Sequence, residues 1–270
     1  MIFLGTAAAA LVPNPFCECE TCRNTLKVQG LTRMRSCFLV DKETLIDMGP
    51  DLCAASVRFD APLSDLKNIL VTHTHGDHFC AENVNIIGMA HKRENPLNIY
   101  ISAGGLEFLQ HIGVHFNGRI RPIAVTPYAP IQVGSWEVLP VESNHVDNGF
   151  NRALTLNYLM KKDGCSLLYA SDCGLYDQKN LDALKGANLD YLIMEATDNF
   201  DPEPCGPQHL NFRDFYIQLD RFLEAGIIRK DTKIYATHLG QDHKHGGRVQ
   251  EYFDSVGRDN VTSAKDGMTI

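Results

Sequence analysis

The sequence predicts a mixed α/β chain whose elements are consistent with a four-layer αββα sandwich, two sheets packed face to face with helices outside. Three observations carry the mixed α/β class. Short β-rich runs alternate along the chain with segments of helical period, glycine and proline punctuate the connections, and several of the runs end on a histidine or an aspartate. The expected strands, in order, are Ile2 to Leu4, Ser36 to Val40, Thr44 to Ile46, Asn68 to Val71, Asn98 to Ile101, Ile131 to Val133, Trp136 to Val141, Leu154 to Leu159, Ser166 to Ala170, Tyr191 to Met194 and Lys233 to Ala236. Apolar residues at three and four spacing place helices at Leu106 to His111, Leu181 to Leu184, Phe212 to Glu224 and Gly246 to Ser255. The acidic stretch Asp198 to Cys205 reads as a lid or a surface connection.

Composition sets the broad class. With 270 residues, 44% of them hydrophobic, the chain can bury a substantial core, and we expect one domain over residues 1–270. No run of about 18 uncharged apolar residues is present, so no membrane span is expected. The apolar start from Met1 to Val12 has no basic segment before it and reads as a strand plus a loop rather than a leader. A net charge of −8 argues against a broad footprint for duplex nucleic acid and leaves room for a local patch that binds a small nucleotide. Nine cysteines without a secretion signal point to a reducing, cytoplasmic setting, where a cysteine cluster is a metal site before it is a disulfide framework.

The densest chemical signal is Thr72-His73-Thr74-His75-Gly76-Asp77-His78, directly after the apolar Asn68-Ile69-Leu70-Val71. Imidazole and carboxylate suit zinc, manganese or iron(II). On a turn leaving a strand, residues i and i+2 can converge on one ion while i+4 and i+5 reach a second. Strand or helix packing gives no reason to gather three histidines and an aspartate there. The His-x-His-x-Asp-His pattern resembles the signature of the metallo-β-lactamase superfamily, whose fold is the αββα sandwich. The resemblance implies further ligands at strand ends, and His145, Asp172 and His238 fill those places in order. Singly, His145 or His238 would be an ordinary polar residue; the ordered set gives them a joint meaning. The resemblance implies that His73, His75 and His145 hold one divalent metal, that Asp77, His78 and His238 hold a second, and that Asp172 bridges them. Zinc, manganese or iron would supply a shared hydroxide for hydrolysis. Asp47 resembles the family's strand-end aspartate, which accepts a ligand histidine's N–H; a turn residue before Gly49 is the alternative.

A second cluster, Cys17-Glu18-Cys19-Glu20-Thr21-Cys22, lies in a cysteine-rich loop at about residues 13–25, and its thiolate spacing suits a structural zinc as against three unmetallated thiols. Together with Gly5-Thr6 it resembles one branch of the superfamily, the cyclic-phosphate phosphodiesterases that accompany carbon-phosphorus lyase. That branch completes the zinc site with a histidine at the position that here is Gln241, so the fourth ligand falls to His243, ahead of His245; either could equally be a solvated helix residue. The segment Gly206-Pro207-Gln208-His209-Leu210 resembles the branch's Gly-x-x-His-Leu stretch over the active site and makes His209 the candidate general acid. The alternative is a helix-capping role, although Asn211 is the better cap. Asp77 and His209 are thus the residues assigned to the chemistry itself.

The function expected is hydrolysis of a small cyclic phosphate or nucleotide-like diester. The alternatives are a lactone, thioester or carboxylic ester hydrolase, an RNA-processing nuclease, and a non-hydrolytic partner that keeps the fold. The visible basic residues are few, Arg33, Arg35 and the Lys161-Lys162 pair, and His115, Asn148 and Arg152 are unranked candidates for touching phosphate or sugar. The expected partner is a small-molecule substrate, with no membrane, and a second copy of the chain in a homodimer is the base-rate expectation for a soluble enzyme.

Overall fold

In the computed structural model, residues 1–28, 30–89, 96–112, 118–147, 154–200, 208–241 and 248–270 are described. A six-stranded sheet is formed by β1 (Ile2–Gly5), β2 (Cys37–Asp41), β3 (Thr44–Ile46), β4 (Asn68–Leu70), β5 (Leu97–Ser102) and β6 (Ile120–Val125), side by side in chain order. A seven-stranded sheet follows, built from β7 (Ile131–Val133), β8 (Trp136–Val146), β9 (Leu154–Lys162), β10 (Cys165–Ala170), β11 (Leu189–Glu195), β12 (Ile228–Thr237) and β13 (Val261–Ser263), also in chain order. Both sheets begin antiparallel and end parallel: the change comes at β3–β4 in the first and at β10–β11 in the second. Parallel strands need crossovers, and every described helix occupies one except the first, which lies between the antiparallel β1 and β2. The helices are α1 (Glu20–Thr25), α2 (Leu52–Arg58), α3 (Ala81–Met89), α4 (Ala103–His111), α5 (Gln178–Leu184), α6 (Phe212–Glu224) and α7 (Val249–Val256).

The period of two along each strand sorts side chains into layers. Phe3, Phe38, Ile46, Leu70, Tyr100, Tyr158, Leu167, Tyr169 and Ile193 point inward and form the core between the sheets. Their neighbours Leu4, Leu39, Leu45, Ile69 and Ile99 point outward into a cluster that also takes Leu52 and Ala55 of α2 and Leu109 of α4. On the other sheet Leu168, Leu192, Met194 and Ile234 pack with Phe215, Leu219 and Phe222 of α6 and Phe253 of α7. Strands buried on both faces are what αββα layering requires, and each fully buried Leu, Ile or Phe contributes about 1.5–3 kcal/mol of transfer free energy. The architecture expected from the sequence is the one observed.

Some elements differ from expectation for physical reasons. Strand β6 contains Pro122, which reads against a strand, but β6 is an edge, where a missing N–H leaves no interior ladder broken. Strand β8 runs five residues past Val141, carrying His145, through an irregular register between Glu142 and Val146. Helices α1, α2 and α3 lack a strong signal, being short and containing Cys, Ser, Asn or Gly. The start expected for the last helix, Gly246, lies outside the described residues, as does most of the acidic stretch up to Cys205; the described helix begins at Val249.

Candidate metal centre

The motif loop leaves β4 at the edge where β3, β10, β11 and β12 also end. Two hydrogen bonds from the second sheet hold its start: Tyr158 Oη donates to the Val71 carbonyl at 2.6 Å, and the Leu156 amide donates to the Thr72 carbonyl at 2.9 Å. The His75 carbonyl accepts from the amides of His78 and Phe79, closing a turn that brings Asp77 and His78 back over the strand end. Gly49 is required beside it, because a Cβ there would sit 2.2 Å from the Asp77 carbonyl oxygen. Asp47, Asp172 and His238, each just past a strand end, have left-handed φ angles of 62°, 49° and 50°. Such backbone is costly for a side-chain-bearing residue, about 1 kcal/mol or more, and concentrates where geometry serves function.

The side chains converge in two groups. His73, His75, His145 and Asp172 offer ligand atoms all within 4.8 Å of one another, and Asp77, His78 and His238 do the same. In the first group Nε2 of His73 and Nε2 of His145 lie 3.0 and 3.1 Å from Nδ1 of His75. In the second, Nε2 of His78 lies 3.0 Å from Nε2 of His238, and both are 3.4 Å from Oδ2 of Asp77. Asp172 stands between the groups. Its Oδ2 is 3.5 Å from His73 and 3.6 Å from His145, while its Oδ1 is 3.3 Å from His78 and 3.0 Å from His238. Ligands at zinc-like bond lengths of about 2.1 Å on a tetrahedral ion are about 3.4 Å apart, so these spacings fit cation sites. The donor chemistry agrees, since buried imidazoles facing one another across 3 Å gain from a cation between them.

The same cluster perturbs its protons. Burial works against charge on Asp172, but His238 and His78 outweigh it and hold the carboxyl well below the usual range. Burial also opposes charge on His238, and the carboxylates of Asp172 and Asp77 push it up to about 10. His73, sealed from solvent among other imidazoles, falls well below the ordinary histidine value.

Buried carboxylates brace this centre. Asp47 accepts from the Thr72 amide at 2.8 Å, from the Thr72 hydroxyl, and from Nδ1 of His78 at 2.7 Å, which leaves the Nε2 of His78 facing the ligand cluster. The turn-residue alternative for Asp47 gives way to this contact. Asp147, two residues after His145, accepts from the Thr74 amide at 2.8 Å and the Thr74 hydroxyl at 2.9 Å. It thereby locks the residue between His73 and His75 to the end of β8. Glu195, at the end of β11 and fully buried, accepts from the amides of Cys173, Gly174 and Leu210 and from Nδ1 of His209 at 3.1 Å. It also accepts the Thr197 hydroxyl, whose oxygen contacts Nδ1 of His238 at 2.8 Å. Asp147 and Glu195 were missed in the sequence. A carboxylate closing the apolar run Tyr191 to Met194 was a usable signal for Glu195; Asp147 offered none.

His209 meets the centre from the second sheet's side. Its ring lies 4.7 Å from His145 and stacks at 5.8 Å on His238, and its side chain is 24% exposed where His73 and His78 are closed to solvent. Burial lowers its proton affinity, but the Glu195 hydrogen bond and charge raise it above the ordinary histidine value. It is not a helix cap: Asn211 caps α6, its side-chain oxygen accepting from the Asp214 amide at 2.8 Å.

The thiols of Cys17, Cys19 and Cys22 form a separate group within 4.8 Å of one another. Burial, reinforced by the neighbouring thiols, pushes Cys22 up to about 11. His243 and His245 lie outside the described residues, as do His115, Asn148 and Arg152. Of the basic residues, Arg33 is buried against Thr6 and Ser263, Arg35 pairs with Asp51 at 3.1 Å, and Lys161 and Lys162 lie at the β9–β10 turn, at the opposite end of β10 from Asp172. No described helix is long and apolar enough to cross a membrane.

Comparison with known proteins places this geometry. The model of the beta-lactamase superfamily domain matches residues 43–239, which spans the motif loop through His238. No curated protein sequence matches the chain. Among solved structures, a diphosphatase from the PhnP family is 19% identical, with 99% of this chain and 94% of that one aligned at a TM-score of 0.75. Zn(2+)-bound PqqB from Methylobacterium extorquens is 17% identical over 100% and 98% at 0.70, and the short form of human tRNase Z is 19% identical over 100% and 97% at 0.66. At these identities the likeness is one of fold. A domain match over most of the length, a double sandwich, and histidine and aspartate groups able to hold metal at its strand ends show that the chain belongs to the beta-lactamase superfamily, as a hydrolase of the metallo-β-lactamase fold.

Proposed function

We propose that the chain is a phosphodiesterase for a small cyclic or nucleotide-like phosphate diester, with two divalent cations in the strand-end centre. His73, His75 and His145 would hold one, Asp77, His78 and His238 the other, and the two oxygens of Asp172 face one group each. Zinc, manganese and iron(II) all suit this donor set, and zinc suits the cysteine cluster. When bound, such ions acidify water and neutralise charge that builds on phosphoryl oxygens.

The observation that carries the phosphodiester reading is the Glu195–His209 pair beside the ligand cluster. Cleaving a phosphate diester expels an alkoxide, a poor leaving group that gains from a proton donor. Glu195 accepts from Nδ1 of His209, which fixes the ring and leaves Nε2 to carry the proton that is transferred to the leaving oxygen. Partial exposure of this ring lets substrate reach it, while Thr197 ties the same carboxylate to His238 and so keeps acid and ligand in register.

The test is hydrolysis of bis(p-nitrophenyl) phosphate set against a lactone and a thioester, with metal content measured on the same preparation. His209→Ala should reduce turnover of the phosphodiester about 10²- to 10⁴-fold at unchanged metal content. Preference of the native protein for the lactone or thioester, with that activity indifferent to His209, would replace the phosphodiester reading with carboxylic ester hydrolysis.

A further inference from the structure

We propose that Gln241 is the fourth member of the cysteine site, so that the loop carries a three-thiolate metal site closed by a neutral carboxamide whose ion is exchangeable. The inference rests on reading the cysteine cluster as a metal site and is independent of the substrate.

Gln241 Nε2 lies 2.8 Å from Sγ of Cys22 and 3.2 Å from Sγ of Cys19. The contact joins residues 219 and 222 positions apart in the chain, and the backbone that leads to each partner is fixed. Leu239 N–H donates to the Thr6 carbonyl at 2.9 Å, and Ala8 N–H donates to the Leu239 carbonyl at 3.2 Å, which pins the segment leading into the cysteine loop against the exit of β12. Gly240 N–H donates to the Thr197 carbonyl at 3.0 Å, and the Gly240 carbonyl accepts from Nδ2 of Asn199 at 2.8 Å. A Cβ at Gly240 would stand 2.4 Å from the Thr197 carbonyl oxygen, so glycine permits this close approach and delivers position 241 to the sulfurs.

Two of the sulfurs, those of Cys22 and Cys17, face main-chain N–H groups. Asn14 N–H points to Sγ of Cys22 at 3.2 Å and Cys19 N–H to Sγ of Cys17 at 3.4 Å. Three thiolates leave one tetrahedral position on a zinc ion. A carboxamide can turn its oxygen to the ion or its N–H groups to the sulfurs, the two ends being interchangeable by a flip. In either orientation it supplies neither the charge of a thiolate nor the basicity of an imidazole. Permanent structural zinc is closed by cysteine and histidine, so this site binds its ion with one weak corner.

The experiment loads the full chain with Co(II) and follows the sulfur-to-cobalt charge-transfer band as EDTA is added. The histidine and aspartate centre has no sulfur and is silent in that band. We expect a band of three-thiolate intensity in the native protein, a decay slowed at least about tenfold in Gln241→His, and a decay accelerated several-fold in Gln241→Ala. Decay in Gln241→Ala equal to that of the native protein, or in Gln241→His no slower, would remove Gln241 from the site. The Ala variant decides the matter if the His variant does not fold. Absence of the band from the native protein would overturn the metal reading of the cysteines altogether, and neither result bears on the phosphodiester assay.

Discussion

The two candidate metal sites are built in opposite ways. The histidine and aspartate centre draws on four places far apart in the chain, the motif loop after β4, the end of β8, Asp172 after β10 and His238 after β12. The cysteine cluster takes its three sulfurs from six consecutive residues and, among the described residues, draws Gln241 from far along the chain. The first is held by buried carboxylates whose own hydrogen bonds are complete. The second is held by main-chain N–H groups and one amide side chain. A centre assembled from distant strand ends exists only when both sheets are packed, so its ligands carry the folded state's rigidity into chemistry. A local cluster orders a loop that has little core of its own.

The largest effect that separates the sites should come from Asp172, whose two carboxylate oxygens face one group each of the strand-end centre. Asp172→Asn keeps the shape and removes the charge and one acceptor oxygen. We expect hydrolysis to fall by more than about 10³-fold, given that the cations it would bridge account for several kcal/mol of transition-state stabilisation. Turnover measured with saturating zinc or manganese checks this. A loss under tenfold would mean that the two groups do not work as one centre.

Asp147 sharpens the comparison one step down. Its carboxylate takes both the amide and the hydroxyl of Thr74, the residue between His73 and His75. Asp147→Asn retains a single acceptor oxygen and turns an N–H₂ toward an amide donor. Contacts of this kind are worth about 10–100-fold in metal affinity or activity. The metal-activation curve should shift to higher concentration by that factor, with turnover partly recovered at saturation. A loss of turnover at unchanged metal affinity would make Asp147 a purely structural residue.

These braces also mark the limit of what the sequence made legible. The motif loop was readable because all of its ligands lie in one turn after an apolar strand. His145, Asp172 and His238 were readable because each follows a β-rich run. Asp147 was not readable, since its meaning depends on a partner 73 residues away. Strand β6 was hidden by Pro122, whose tolerance depends on being at an edge, a fact of tertiary structure. The layers themselves were legible because β-rich runs alternate with helical segments along the chain, whereas the short helices α2 and α3 owe their existence to the crossovers they fill. Gln241 was readable only as a departure; that a carboxamide reaches two sulfurs appears only when the ends of β1 and β12 lie side by side.

The smallest effect concerns the carboxylate that braces the cysteine side. Asp266 accepts from the Thr6 hydroxyl at 2.7 Å and from the Met34 amide at 2.6 Å, and so clamps both ends of the segment that contains the cysteine loop. Burial pushes its pKa up to about 6, against the hydrogen bonds from Met34 and Thr6 and the nearby charge of Arg33. An acid whose folded pKa exceeds its unfolded value near 3.9 takes up a proton on folding between those two values. Its contribution to stability is therefore greatest below about pH 4 and declines as pH rises through about 6, by about 2–3 kcal/mol in total. Asp47 and Asp172, set among imidazoles, share a site with histidines that also titrate; Asp266 has an arginine beside it, so its titration stands apart. Comparing Tm of the native protein and Asp266→Asn from pH 4 to 7 cancels the protons lost or gained by the histidines. The native protein's advantage should shrink by several degrees across that window. A difference independent of pH would mean that Asp266 is ionised throughout and braces the cysteine segment as Asp147 braces the motif loop, making the two sites alike in the respect in which they are here contrasted.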